Sequence, residues 1–203
     1  MFINHIYATS TELPPFGSHL CEYVTAASGV FVRARRPGLE AMLPVCLTYQ
    51  AEIRGLAQLQ PYVRLDAGLI PACLISQALD WMKASAPPEL LTWIKVDGDY
   101  SLVRPAQSTS TSRCQPLDPF DPQGQNALLD FHSHGLHKPF FSGVDNRDEK
   151  NSFRLFAVAG SFPNPSILAR VGIYGHFWNI PPEWVMELPV CLLAIEEGEP
   201  VWN

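Results

Sequence analysis

Residues 129–145 of the chain read LDFHSHGLHKPFFSGVD. The segment opens on a largely apolar run that carries His132 and His134 at positions i and i+2. In a β-strand such positions point to the same face about 6–7 Å apart, so two imidazoles can bind one small cation. A hydrolytic zinc site takes three N or O ligands and leaves its fourth position to water. His132, His134 and Asp145 meet that requirement, so the stretch predicts a metal site whose two histidine ligands lie on a strand.

The residues after the histidines predict how the carboxylate is held. Ser142 is placed to cap a helical turn that begins at Gly143, and Asp145 follows three residues later as the second half of a capping pair. This arrangement would fix the direction of the Asp145 carboxylate relative to the histidine strand. His137 lies in the loop three residues after His134 and is more simply a loop residue than a fourth ligand.

The whole pattern, His-x-His, seven residues, Ser, two residues, Asp, resembles the signature of the JAB/MPN (JAMM) metalloproteases. The resemblance implies an α/β fold of the cytidine deaminase-like kind, a mixed and curved β-sheet flanked by helices. It also implies Zn²⁺ as cofactor and hydrolysis of a peptide or isopeptide bond at the C-terminus of a ubiquitin-like protein. In the family's mechanism Ser142 would hydrogen-bond the developing oxyanion. The alternative is a non-catalytic MPN-type scaffold that keeps the fold without the chemistry.

The resemblance leaves the general base to be assigned, since family members carry that Glu upstream on an early strand. Glu40 opens the apolar run 41–47, and a charge at the rim of a buried strand is costly. Glu52 precedes residues 53–56, and its Glu-x-x-Gly-Leu sequence is closer to the family's strand motif. The order of predicted elements favours Glu40 as the catalytic base, and Glu52 stays open as the alternative.

Within the family the chain is most similar to the protein A branch of the PRTRC genetic systems, which bacterial plasmids and integrative elements carry. Residues 29–40 and 140–145, followed by Asp148 and Glu149, support this resemblance. It implies a small β-grasp ubiquitin-like protein as substrate and a ThiF/E1-like protein as a further partner. The chain departs from the family at Gly135, where a proline commonly follows the second His, and this predicts a more flexible loop.

Composition excludes several other classes of protein. The hydrophobic content is 47% and the charged content 17%, as in ordinary globular proteins. The net charge is −6 and the 14 Lys and Arg residues cluster only at 33–36, so direct nucleic-acid binding is not expected. Five scattered cysteines without a Cys-x-x-Cys motif argue against a deaminase zinc site and suit a reducing cytoplasm. The chain shows neither a signal-peptide pattern nor an apolar run of about 18 residues, so no membrane association is expected.

The pattern along the chain predicts three parts. Residues 1–27 are expected to form an irregular arm with a short helix near 18–26, residues 28–188 the JAB/MPN-like domain, and residues 189–203 a tail. Inside the domain the pattern predicts a helix at 69–84 and a hairpin over 90–104. Further strands are expected at 30–35, 39–47, 53–65, 153–159 and 167–174. The Ser-, Thr- and Pro-rich residues 105–125 are expected to form a mobile polar loop beside the site.

Overall fold

The computed structural model of the protein describes residues 2–48 and 52–192 and contains two main β-sheets. The first sheet has five strands in chain order, and only its first pair is parallel. Alternating and continuous runs of β-branched and aromatic residues favour these strands. They are β1 (Ile3–Tyr7), β2 (Cys21–Ala26), β3 (Gly29–Arg36), β4 (Leu39–Leu47) and β5 (Tyr62–Leu65).

The second sheet carries the histidine strand at an interior position. Its strands are β6 (Leu91–Asp97), β7 (Asp99–Val103), β10 (Leu129–Ser133), β11 (Phe153–Gly160), β12 (Ser166–Ile173) and β13 (His176–Ile180). They lie in the order β13-β12-β11-β10-β6-β7, and β10 pairs parallel with β11 and antiparallel with β6. A two-stranded ribbon of β8 (Gln107–Thr109) and β9 (Cys114–Pro116) forms a separate ladder and is hydrogen-bonded to β6 through Gln107 and Leu91. Because β10 has one parallel and one antiparallel neighbour, the second sheet is mixed.

One helix and one face of each sheet share the main core. The helices are α1 (Ala72–Ser85), α2 (Pro122–Gln125) and α3 (Gly143–Glu149). The apolar face of α1, which includes Ile75 and Met82, packs with side chains of both sheets, among them Leu39, Leu43, Phe131 and Leu155. Each large apolar side chain buried there contributes about 1.5–3 kcal/mol to folding. Because one face of β10 is buried in this core, the opposite face of that strand is free to line a cavity.

Several elements predicted from the sequence are confirmed. The helix at 69–84 is α1, the 90–104 hairpin is β6 and β7, and the strands at 30–35, 39–47, 153–159 and 167–174 are β3, β4, β11 and β12. The α/β class is likewise observed, with two sheets around one long helix rather than a single sheet flanked by helices.

The N-terminal part differs from its prediction. Residues 3–7 and 21–26 are the strands β1 and β2, and no short helix forms near 18–26. Because β2 pairs with β3, the predicted boundary at residues 27 and 28 falls inside a hairpin. The strand expected at 53–65 is limited to β5.

Two other predicted segments differ from their prediction or are described only in part. Residues 105–125 hold β8, β9 and α2 in place of the polar loop without secondary structure. The predicted tail at 189–203 lies outside the described residues from 193 onward. Among the residues that the structure describes, no helix has the length and apolar character needed to cross a membrane.

Candidate metal centre

The alternation of β10 separates core residues from site residues. Leu129 and Phe131 are fully buried in the core, whereas the intervening positions face a cavity. His132 and His134, at the end of the strand, are 7% and 5% exposed. Their Nε2 atoms lie 3.3 Å apart. The same-face geometry expected from the i and i+2 spacing is therefore present.

A capping box at the start of α3 brings the carboxylate to the histidines. The Ser142 Oγ accepts hydrogen bonds from the backbone N–H groups of Val144 and Asp145, each at 3.2 Å. In return the Ser142 N–H donates to Asp145 Oδ2 at 2.5 Å. The other carboxylate oxygen, Oδ1, lies 3.6 Å from His132 Nε2. The cap predicted at Ser142 is confirmed, and it leaves one Asp145 oxygen free for a metal ion.

The spacing of these three side chains fits a tetrahedral ion. One donor atom from each of His132, His134 and Asp145 lies within 4.8 Å of the other two. Ligand bonds of about 2.0–2.1 Å hold tetrahedral ligand atoms about 3.3–3.4 Å apart, close to two of the observed separations. Burial lowers the pKa of His132 to about 4 and also lowers that of His134, although Asp145 opposes both shifts. Both imidazoles are therefore neutral at pH 7, as metal ligation requires.

Strand pairing brings a buried glutamate, Glu89, to the same cavity. In the antiparallel register of β6 and β10, Leu91 lies opposite His132, so the continuation of the ladder sets Glu89 opposite His134. The backbone between them is tied together, because the Leu90 N–H donates to Ser133 Oγ at 3.0 Å. Glu89 is 8% exposed and lines the cavity. Burial, and then the negative charge of Asp145, raise its pKa to about 7.

The two glutamates singled out from the sequence as the general base lie elsewhere. Glu40 is in the first sheet, where the Tyr62 hydroxyl donates to its Oε1 at 2.6 Å and Arg35 lies 3.9 Å away. Glu52 is exposed and accepts a hydrogen bond from Gln58 at 2.6 Å. Neither lines the cavity that holds the histidines. The structure therefore brings neither Glu40 nor Glu52 to the histidines, and the glutamate that lines their cavity is Glu89. Glu40 is remote because β4 belongs to a different sheet from β10.

A sequence signal for Glu89 was available. The residue follows α1 and the pair Pro87-Pro88, and it directly precedes the apolar run 90–94. A charge at the rim of a buried strand, the feature that favoured Glu40, therefore applies equally to Glu89. The pairing of β6 with β10 brings Glu89, and not Glu40, to the histidines. That pairing joins residues that are far apart in the sequence, so no local pattern predicts it.

Gly135, the departure from the family's proline, is required by backbone geometry. Its φ is +55°, and a Cβ placed there would lie 2.3 Å from the carbonyl oxygen of Pro87. The loop after His134 thus packs directly against the segment that leads to Glu89. Gly135 therefore allows close packing at this position, and the flexibility expected for the loop stays a prediction.

Replacing Gly135 by alanine is expected to weaken both folding and zinc binding. The left-handed conformation alone costs about 1–2 kcal/mol for a residue with a Cβ, and the contact with Pro87 adds to that cost. Gly98→Ala is the matched control, since Gly98 has φ +75° with nothing within 4 Å of the added Cβ. Thermal unfolding and zinc titration of both variants would measure the difference. Equal losses in the two variants would contradict the role of the Pro87 contact.

The site opens into a cavity of about 970 Å³ that lies between α3 and the 105–125 segment. Its lining includes residues 111–117, which contain β9, and also Ser142, Val144 and Asp145. His137 also lines this space but does not belong to the three-residue donor group. The segment predicted as a mobile loop is thus a wall of the site.

Comparison with known proteins gives little similarity. No protein-family model and no curated protein matches the chain. Among solved structures, the solution structure of protein DSY2949 from Desulfitobacterium hafniense covers 63% of this chain and 92% of its own. The sequence identity is 17% and the TM-score 0.37, and a similarity of this size carries no argument about function.

Proposed function

We propose that the protein is a zinc-dependent peptidase or isopeptidase of the JAB/MPN type. Its substrate would be a bond at the C-terminus of a ubiquitin-like β-grasp protein. One observation carries the proposal: three ligand atoms from His132, His134 and Asp145 converge in a cavity that also holds Glu89, a carboxyl group with a pKa of about 7. Metal-assisted hydrolysis requires ligands that converge on one metal ion and, beside them, a carboxyl group of near-neutral pKa.

The residues of the site divide the work of such a reaction. Zinc held by His132, His134 and Asp145 would polarise the scissile carbonyl and activate the attacking water. Glu89 takes a proton from that water and delivers it to the leaving amine, for which a pKa near the working pH is best. Ser142 Oγ accepts two backbone N–H groups and keeps its own proton. That hydroxyl can therefore donate to the carbonyl oxygen as negative charge develops on it.

The surroundings of the cavity support a protein substrate. Three apolar side chains of the lining are largely exposed, Leu117 at 68%, Phe140 at 52% and Val144 at 40%. Exposed apolar groups beside a cavity can contribute to a surface that binds another protein when they lie together. The choice of a ubiquitin-like protein, with a ThiF/E1-like protein as a further partner, comes from the sequence resemblance.

The proposal is tested by metal content and by cleavage together. We expect the purified chain to hold about one zinc ion, measured by elemental mass spectrometry, as a site with three protein ligands should. As substrates we would use bacterial ubiquitin-like proteins, each fused at its C-terminus to a reporter peptide. Cleavage should stop after treatment with a chelator and return when zinc is added.

Two results would contradict the proposal. If the chain takes up no zinc even when the ion is supplied, the assignment of the ligands is wrong. Zinc binding without cleavage of any ubiquitin-like fusion would favour the scaffold alternative.

A further inference from the structure

The most completely bonded side chain near the site is Arg170, which takes no direct part in the proposed chemistry. It lies on β12, is 4% exposed, and extends toward α3. Its Nε and Nη2 donate to Glu149 Oε2 at 3.0 and 2.5 Å, and its Nη1 donates to Asn146 Oδ1 at 2.6 Å. Asn146 and Glu149 lie one turn apart on α3. The guanidinium therefore binds the helix that carries Asp145 at two points.

The flat faces of the same guanidinium are occupied by two aromatic rings. The Arg170 Cζ lies 3.9 Å from the ring centroid of Phe141 and 4.1 Å from that of Phe177. Phe177 belongs to β13 of the sheet, whereas Phe141 directly precedes the capping residue Ser142. Such stacking is specific to arginine, because lysine has no planar face. Arg170 thus ties both ends of α3 to the sheet.

The short helix α3 has little else to hold it. Helices below about 12 residues are marginal without tertiary contacts, and α3 has seven residues. Its one buried residue is Glu149, while Val144 is 40% exposed. No apolar side chain of α3 is therefore buried in the core. The Arg170 contacts supply the anchorage that apolar packing gives to most helices.

We infer that Arg170 is a positioning residue, which sets the place of the Asp145 carboxylate relative to His132 and His134. The inference rests on the proposed function, in which these three residues bind zinc. The capping box sets the direction of the carboxylate within α3, and Arg170 sets the position of α3 on the sheet. Without Arg170, the Asp145 oxygen would no longer be held 3.6 Å from His132.

A second buried pair in the chain provides a matched control. In the first sheet, Arg33 Nη2 and Nε donate to Glu22 Oε2 at 2.5 and 3.2 Å, with both residues under 5% exposed. This pair has the same chemistry as Arg170–Glu149, but it does not line the cavity. Replacing both members of a buried ion pair by apolar residues avoids an unpaired charge and is often tolerated. A comparison of the two pairs therefore separates positioning from general stability.

The test compares the Arg170→Met/Glu149→Met double variant with the Arg33→Met/Glu22→Met control. Zinc affinity is measured by competition with a chromophoric chelator, and the visible spectrum of the Co²⁺ form reports the ligands. We expect the first variant to bind zinc about 10–100-fold more weakly and to give an altered cobalt spectrum. The control should keep both values. Near-UV circular dichroism checks that each variant is folded.

Arg170→Lys is the second variant, which decides the matter if the double variant does not fold. Lysine keeps the charge but neither the fork nor the stacking face, so zinc should bind about 10-fold more weakly. Wild-type affinity and spectrum in the folded Arg170 variants would overturn the inference and leave the proposed function intact. Absence of zinc binding by the wild-type chain would overturn both.

Discussion

Replacing Glu89 by glutamine is expected to reduce hydrolysis about 10²–10⁴-fold while zinc stays bound, because a general base contributes about that factor. Glutamine keeps the shape and a hydrogen-bonding oxygen but cannot accept the proton of the attacking water. Glu89 is close enough to Asp145 to be affected by its charge, yet it does not belong to the group of ligand atoms. The variant should therefore lose turnover and keep metal. Single-turnover cleavage of a ubiquitin-like fusion and elemental analysis of the same sample measure the two properties.

Glu40→Gln is the control for this experiment. Glu40 sits in the first sheet, bonded to Tyr62, and it does not line the cavity. Its replacement should leave cleavage close to the wild-type rate. A large loss in Glu40→Gln together with normal cleavage by Glu89→Gln would show that the glutamates are assigned the wrong way round.

Replacing His134 by alanine is expected to abolish stable zinc binding and, with it, all cleavage. The substitution leaves two of the three protein ligands, and hydrolytic zinc sites use three. Loss of affinity should exceed the roughly 100-fold limit for partners outside the ligand set, since a direct bond is removed. Chelator competition gives the affinity, and elemental analysis gives the metal content.

His137→Ala is the matched control, since it removes a neighbouring imidazole of the same cavity that lies outside the donor group. It should retain about one zinc ion per chain, as expected for three intact protein ligands. If His134→Ala keeps full zinc affinity and His137→Ala loses it, the ligand set has been read wrongly.

Local patterns in the sequence were sufficient to predict the candidate metal ligands. The strand period of two sets His132 and His134 on one face, and a capping box depends only on Ser142 and a residue three positions later. The same holds for α1 and for the β6–β7 hairpin. The sequence signal for α1 spans the length of one helix, and the signal for the hairpin spans one turn. The same-face geometry of the histidines, the capping box, α1 and the hairpin are decided by neighbouring residues, so the sequence alone indicated these structural features correctly.

The tertiary structure decided which other side chains join the site. Glu40 and Glu89 each precede or open an apolar run, and a local pattern cannot show which run pairs with the histidine strand. Arg170 has no sequence signal at all, because its partners come from α3, β13 and the loop before the helix. Strand pairing and burial join residues that are far apart in the chain, and the energy of that packing is not recorded in any short segment. The candidate ligands were therefore visible in the sequence, whereas Glu89 as the candidate base and Arg170 as the anchor of α3 emerged only from the folded chain.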